Sequence, residues 1–180
     1  AEIAQPTIGV VTNVEDVHIE RLGSREAIAL AKSELISALP AEKSVAFLSN
    51  DDPYVIQMKQ IAPDEVLTFG RSSDADVQGQ ILIHSRAGLS IQYNYQGIDG
   101  EFFVPLYGRH QLGISLGAIG LARYLGIPPL KFQQGLSSLL PSPMRMEPRN
   151  VRGIFVLNDA YNANPRSMLA ALQTFVELGR

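Results

Sequence analysis

The chain has 180 residues, 46% of them hydrophobic, with 15 basic and 18 acidic side chains and a formal net charge of -3. That is enough apolar material for a real core, and the basic residues form no patch of the kind a nucleic-acid surface needs. Zero cysteines exclude disulfides, thiolate metal sites and cysteine nucleophiles, a usage that fits the cytosol, and no apolar run approaches a membrane span.

Ile8-Gly9-Val10-Val11 is short, β-branched and non-alternating, so it reads as a buried strand in a sheet covered on both faces. It ends in Thr12-Asn13, and a short polar connection holding His18 follows. Ser24 is placed to cap a helix over about 25–39. Projected at 3.6 residues per turn, Ala27, Ile28, Ala31, Leu35, Ile36 and Leu39 form one apolar arc. Lys32 falls inside it. A lysine there needs a partner, a shifted pKa or a route out for its ammonium, and snorkelling along the stem is the plainest account.

A second buried strand covers Ser44 to Leu48 and runs into Asn50-Asp51-Asp52. Asp52, with Pro53 in the first turn, caps a helix expected to reach Ala62. Glu65 to Gly70 is a third strand. Strand and helix alternating at this spacing predict parallel α/β architecture. From Val77 to Leu106 the period changes to two, with turns containing Gly88, Gly97 and Gly100, which predicts an antiparallel meander with a structural role. Gly108-Arg109-His110 leads into a helix from about Gln111 to Tyr124. It is apolar nearly all round, with Gly113, Gly117 and Gly120 on one face for close packing, and so reads as central and buried.

A short helix over Leu130 to Leu139 and a hinge at Pro141-Ser142-Pro143 follow. Then come a strand over Gly153 to Leu157 and a helix over about Arg166 to Leu178. One strand and one helix cannot close a core, so this second unit reads as incomplete, and both ends of the sequence read as cuts. Polar groups gather after strand ends, as a ligand site in a parallel sheet requires. Each group also has a plain reading: His18 as a loop histidine, Asn50 to Asp52 as a cap, Arg109-His110 as surface charge. Asp159-Ala160-Tyr161-Asn162-Ala163-Asn164-Pro165 is the strongest candidate for a polar binding loop, with a capped turn as its alternative. No phosphate loop, zinc-protease helix, nucleophile elbow or dinucleotide fingerprint is present.

In combination, Thr12-Asn13, His18, Arg21-Leu22-Gly23-Ser24, Ala31-Lys32-Ser33-Glu34, Asn50-Asp51-Asp52, Phe69-Gly70, Gly108-Arg109-His110, Arg145-Met146-Glu147 and the Asp159–Pro165 block resemble, in order and spacing, the Mur ligases. The Tyr-Asn-Ala-Asn-Pro form is similar to the branch that adds D-alanyl-D-alanine to UDP-N-acetylmuramoyl-tripeptide. The resemblance implies a truncated ATPase-like α/β central domain with an antiparallel meander over 1–141. Residues 142–180 would be the first strand and helix of a Rossmann-like C-terminal domain. It implies a cytoplasmic, monomeric parent enzyme of peptidoglycan synthesis that uses ATP and Mg2+ and passes through an acyl phosphate. Its phosphate loop would lie upstream of Ala1, leaving the 180 residues inactive alone.

Residue by residue, the resemblance implies that Lys32 is carbamylated and binds magnesium together with His18. It implies that Asn50 faces the adenine, that Arg109 and His110 face the nucleotide, and that Arg145, Asp159, Tyr161 and Asn162 reach the nucleotide from the second domain. The family pattern after Gly-Arg-His is Asn-x-x-Asn. Here Gln111 keeps an amide, but Ile114 cannot replace the second. That departure suggests an inactive Mur-like binding or partner protein as one alternative; a folate-polyglutamate or cyanophycin-type ligase, which would share the central layout, is another.

Overall fold

The computed structural model describes residues 3–15 and 22–179, so His18 and Arg21 lie outside the described residues. Strands β1 (Ile8–Val11), β2 (Val45–Ser49) and β3 (Glu65–Gly70) run parallel. Helix α1 (Arg25–Ser37) precedes β2, and α2 (Pro53–Gln57), tightening into a 3-10 turn at Met58–Ile61, precedes β3. β2 is buried at every residue because strands flank it and layers cover both faces. β1, at the edge among the described residues, alternates instead. Val11 faces the α1–α2 layer, while Ile8 and Val10 face the opposite one.

Ser24 caps α1 as expected, its Oγ accepting the Ala27 N–H at 3.1 Å. Ile28, Ile36 and Leu39 are buried beneath it. Lys32, one turn from both isoleucines, is nevertheless exposed. Its long stem carries the ammonium out of the stripe to the Asn13 carbonyl at 2.6 Å, which is snorkelling geometry.

The meander is β4 (Val77–Ser85), β5 (Gly88–Tyr95) and β6 (Ile98–Val104). It continues the same six-stranded sheet, in the order β1-β2-β3-β4-β5-β6. Gly100, expected in a turn, lies inside β6 opposite Tyr93, where any side chain would meet the tyrosine ring at 2.6 Å. β3 and β4 pair in parallel only at Phe69–Val77 and Gly70–Gln78. Residues 79–85 therefore run on past the C-terminal end of β3, by roughly 20 Å at strand rise. β4 and β5 become a wall standing above the edge where ligands of parallel sheets bind.

Helix α3 (Gln111–Tyr124) covers the other face of the sheet with Leu112, Leu116 and Ile119. Gly117 and Gly120 permit that approach: added Cβ atoms would lie 3.1 Å from Phe69 and 2.8 Å from Val77. The helix is less enclosed than its composition suggested, since Ile114 is 49% exposed and Leu125 is also exposed. Helix α4 (Pro129–Ser137) seals the β6 edge, where Gln133 bonds both N–H and C=O of Phe103 at 3.1 Å.

The last segment holds a strand that the sequence reading lacks. β7 (Glu147–Val151) pairs antiparallel with β8 (Ile154–Asn158) before α5 (Pro165–Leu178). Glu-Pro-Arg-Asn-Val carries charge, a proline and no apolar period, so its extended state comes from pairing with β8. α5 begins in a reciprocal capping box of Asn164 and Ser167.

The glycines of α3 should separate by neighbourhood. Gly120→Ala is expected to cost about 1–3 kcal/mol by overpacking against Val77. Gly113→Ala, which meets nothing within 4 Å, should stabilise by up to about 1 kcal/mol through helix propensity. Urea denaturation midpoints of the two variants check this, and equal shifts would contradict it.

Candidate active site

A cleft of about 950 Å³ opens at the C-terminal ends of the parallel strands. Thr12, Asn13 and Glu15 after β1, and Ser49, Asp51 and Asp52 at the end of β2, form one side. Gln78, Gln80, Gln92 and Asn94 on the projecting β4–β5 wall form another, with Arg109, His110 and Gly113 at the start of α3 and Arg166 and Gln173 on α5. The volume lies in the range of small-molecule sites. The meander, expected to be structural rather than catalytic, thus supplies a whole wall of the cleft.

Three guanidiniums line this cleft, and each is held by a carboxylate. Arg71 pairs with Asp51 at 3.2 Å, Arg166 with Glu15 at 3.6 Å, and Arg109 with Glu177 at 2.8 Å. Held guanidiniums keep free N–H groups in a fixed plane, the geometry that anionic oxygens favour.

Asp52 is the structural knot beneath. It is buried, and its Oδ1 accepts the N–H groups of Tyr54 and Val55 at 2.9 and 3.2 Å, capping α2. Oδ2 accepts the Val14 N–H at 2.8 Å and lies 3.6 Å from an Arg25 amino group. Arg25 in turn donates to the Val14 carbonyl at 2.9 Å and stacks over the Tyr54 ring. One carboxylate therefore ties the chain leaving β1 to the chain leaving β2.

The sequence-derived candidates fall into separate groups. Lys32 stands behind the lining, bonded to the carbonyl of cleft residue Asn13; His18 lies outside the described residues. Asn50 is not in the cleft lining, its amide donating instead to Asp74 at 2.9 Å. Arg109 and His110 line it. Desolvation by the crowded turn lowers the His110 pKa below 6.5, against the opposing pull of the Asp159 and Glu15 carboxylates. His110 is thus neutral at pH 7, with ring nitrogens able to donate and accept.

Arg145, Asp159, Tyr161 and Asn162 are not in the cleft lining, although the Asp159 carboxylate acts on His110 at its edge. Arg145 stacks on the Tyr161 ring at 3.9 Å, and Asp159 accepts the Met146 N–H at 3.1 Å. Asn162 accepts the N–H of Ala163 at 3.0 Å. Arg71, Arg166 and the glutamine wall were missed by the sequence reading. The alternation of Gln78, Gln80, Gln92 and Asn94 with apolar residues was the available signal: it marks a polar face, and only the short β3–β4 register turns that face toward a cleft. Among the described residues, no group of three or more His, Asp or Glu side chains is arranged to hold a metal ion, and no helix is long and apolar enough to cross a membrane.

Residues 1–122 match the model of the Mur ligase middle domain. The UDP-N-acetylmuramoyl-tripeptide--D-alanyl-D-alanine ligase of Bacillus subtilis is 36% identical over 174 residues, covering 96% of this chain and 37% of that protein. Its counterpart in Mycobacterium tuberculosis is 35% identical over 176 residues, covering 96% of this chain and 34% of that protein. The chain therefore spans little more than a third of these relatives. Among solved structures, MurF from Acinetobacter baumannii superposes with a TM-score of 0.88 at 24% identity, covering 98% of this chain and 38% of that one. MurF ligase from Thermotoga maritima in complex with ADP superposes with a TM-score of 0.82 at 23% identity, covering 97% and 40%. At these identities the superpositions speak for the fold.

Asp52→Ala should destabilise the protein by about 2–4 kcal/mol, combining a lost helix cap with an unsatisfied Val14 N–H. Asp52→Asn, which retains an acceptor, should cost clearly less. Denaturant unfolding of both variants decides the point, and an Ala variant as stable as wild type would contradict it.

Proposed function

The chain belongs to the Mur ligase family, and we propose that it is part of an ATP-dependent ligase joining D-alanyl-D-alanine to UDP-N-acetylmuramoyl-tripeptide in peptidoglycan precursor synthesis. We assign residues 1–141 to the central domain and 142–180 to the start of the C-terminal domain. One observation carries the reading: a large cleft at the sheet's C-terminal edge is bounded by elements of both parts and lined by three carboxylate-held arginines. The name shared by the relatives and the Tyr161–Pro165 block support the choice of substrates.

In this reading a carboxylate oxygen of the tripeptide attacks the γ-phosphorus of ATP, the bond to ADP breaks, and an acyl phosphate forms. The dipeptide amine then attacks the acyl carbon and loses a proton, and inorganic phosphate leaves. Arg109 holds phosphate oxygens, and neutral His110 orients the nucleotide beside it. Asn50, beside the lining, meets the adenine only once its amide leaves Asp74. Arg145, Asp159, Tyr161 and Asn162 form the face that the second domain turns toward the nucleotide, with Asp159 already acting on His110 and the others brought in by closure.

The chemistry of Lys32 suits the metal in one form only. An ammonium repels a cation, whereas a carbamate on Nζ would bring anionic oxygens to the end of β1, the ligand type magnesium prefers. The exposed position of Lys32, one residue behind the cleft lining, leaves room for that group. Carbamylated Lys32 and His18 would hold the ion, which when bound supplies charge neutralisation at phosphate oxygens.

In the protein carrying this chain, ADP release should require both the UDP-linked tripeptide and D-alanyl-D-alanine. After loading with carbon-13 carbon dioxide, an NMR carbamate signal should appear and be absent from Lys32→Arg. ADP release driven by glutamate in place of the dipeptide would redirect the reading to a folate-polyglutamate-type ligase. An active protein without the carbamate signal would remove the proposed role of Lys32.

A further inference from the structure

The Gly108-Arg109-His110 turn is held by a closed ring of contacts whose fourth corner is a residue that no motif marks. His84, near the end of β4, is only 4% exposed at its side chain, and its Nδ1 lies 2.7 Å from Glu177 Oε2 in the last turn of α5. The Gly108 N–H points at His84 Nε2 at 3.4 Å, which places the imidazole proton on Nδ1 and aims it at Glu177. The two oxygens of Glu177 accept Arg109 Nε at 2.8 and 3.1 Å. Gly108 and Arg109 are chain neighbours, so Gly108, His84, Glu177 and Arg109 close on themselves. Gly108 sits at φ +96°, and a side chain there would run into the His110 ring, so the turn has little freedom of its own.

Two features separate this arrangement from an ordinary surface ion pair, which would contribute little. The first is the buried imidazole, whose N–H loses its acceptor if the carboxylate is removed. The second is where the bonds fall on Arg109. They run through Nε, and among the described residues no hydrogen-bond partner takes its two terminal nitrogens, in a side chain that lines the cleft. Arg109 first and His84 second keep the Glu177 pKa below its ordinary value, so it is ionised at neutral pH.

We propose that Glu177, acting through His84 and Arg109, is a positioning residue: it fixes the Gly108–His110 turn so that the terminal nitrogens of Arg109 face the phosphates of a bound nucleotide. Because Glu177 is carried by α5, seating of that helix and placement of Arg109 become one event. The proposal rests on the nucleotide reading of the cleft given above. The seat of α5 has other supports: Arg86 donates to the Leu178 carbonyl at 3.0 Å, Tyr107 donates to the Arg86 carbonyl at 3.0 Å, and Tyr107, Met146 and Leu178 form an apolar contact. Removing the carboxylate therefore leaves the helix an anchor.

The test is a double-mutant cycle in the protein carrying this chain with its natural flanking sequence, using Glu177→Ala, Arg109→Ala and the pair, with kcat and the KM for ATP as readouts. Glu177→Ala should raise the KM for ATP roughly tenfold while kcat stays within about twofold, and should add nothing in the Arg109→Ala background. Glu177→Gln keeps an acceptor for His84 but loses the charge against Arg109; it should raise the KM by a smaller factor at an unchanged melting temperature, which keeps the test informative should the Ala variant misfold. Impaired Arg109→Ala beside Glu177→Ala and Glu177→Gln with unchanged KM would overturn the proposal and leave the nucleotide reading standing. Fully additive effects would reduce Glu177 to a structural role. An Arg109→Ala enzyme with unchanged KM would overturn both the nucleotide reading and the proposal.

Discussion

Much of this molecule follows from two residue pairs, Phe69–Val77 and Gly70–Gln78, the whole of the parallel pairing between β3 and β4. A longer register would have laid β4 alongside β3 and put its polar face over the sheet. The short one sends residues 79–85 beyond the end of β3, taking β5 along by antiparallel pairing. The sheet's C-terminal edge, where loops carry Thr12, Asn13 and Asp51, thereby acquires a standing wall of glutamines. Concavity here is a product of register. Asp76 supports it from the side by accepting both the N–H and the hydroxyl of Thr68, at 2.8 and 2.6 Å, which secures the turn between the two strands.

α5 spans the opening so formed. Arg166 in its first turn approaches Glu15 beyond β1, and Glu177 in its last turn meets His84 near the end of β4. At helix rise those two positions are about 16 Å apart, comparable to the projection of the wall. The helix thus closes a frame whose other members are the β1 end, the sheet edge and β4. Its ties to that frame are ionic at both ends and apolar around Tyr107, Met146 and Leu178. The two ionic ties differ in kind: Arg166–Glu15 is a long, exposed pair, whereas Glu177 meets the buried His84 imidazole.

The parallel core was legible in the sequence because its signals are local: β-branched runs, the Ser24 and Asp52 caps, and glycines at close approaches. The order of short motifs pointed to the family for the same reason, since each lies at an element end. What was not legible depends on partners distant in sequence. β7 is extended only because β8 pairs with it. That Lys32 would snorkel was readable from its place in the apolar arc, but its acceptor, the Asn13 carbonyl, was not. Asn50 belongs to a polar cluster at a strand end but turns to Asp74. Glu177 reads as an ordinary acidic residue at the end of a helix, and its link to His84 bridges 93 positions. Candidate residues at local turns, such as Arg109 and His110, could be named in advance, whereas contacts between distant segments, such as His84 with Glu177, could not.

Everything proposed for Arg109, His110 and Glu177 requires that this cleft hold the nucleotide. A crystal structure of the protein carrying this chain, with a non-hydrolysable ATP analogue, tests that most directly. The phosphates are expected between the end of β1 and the start of α3, within hydrogen-bonding distance of the Arg109 terminal nitrogens. A nucleotide bound elsewhere, with no atom inside the cleft, would contradict the account.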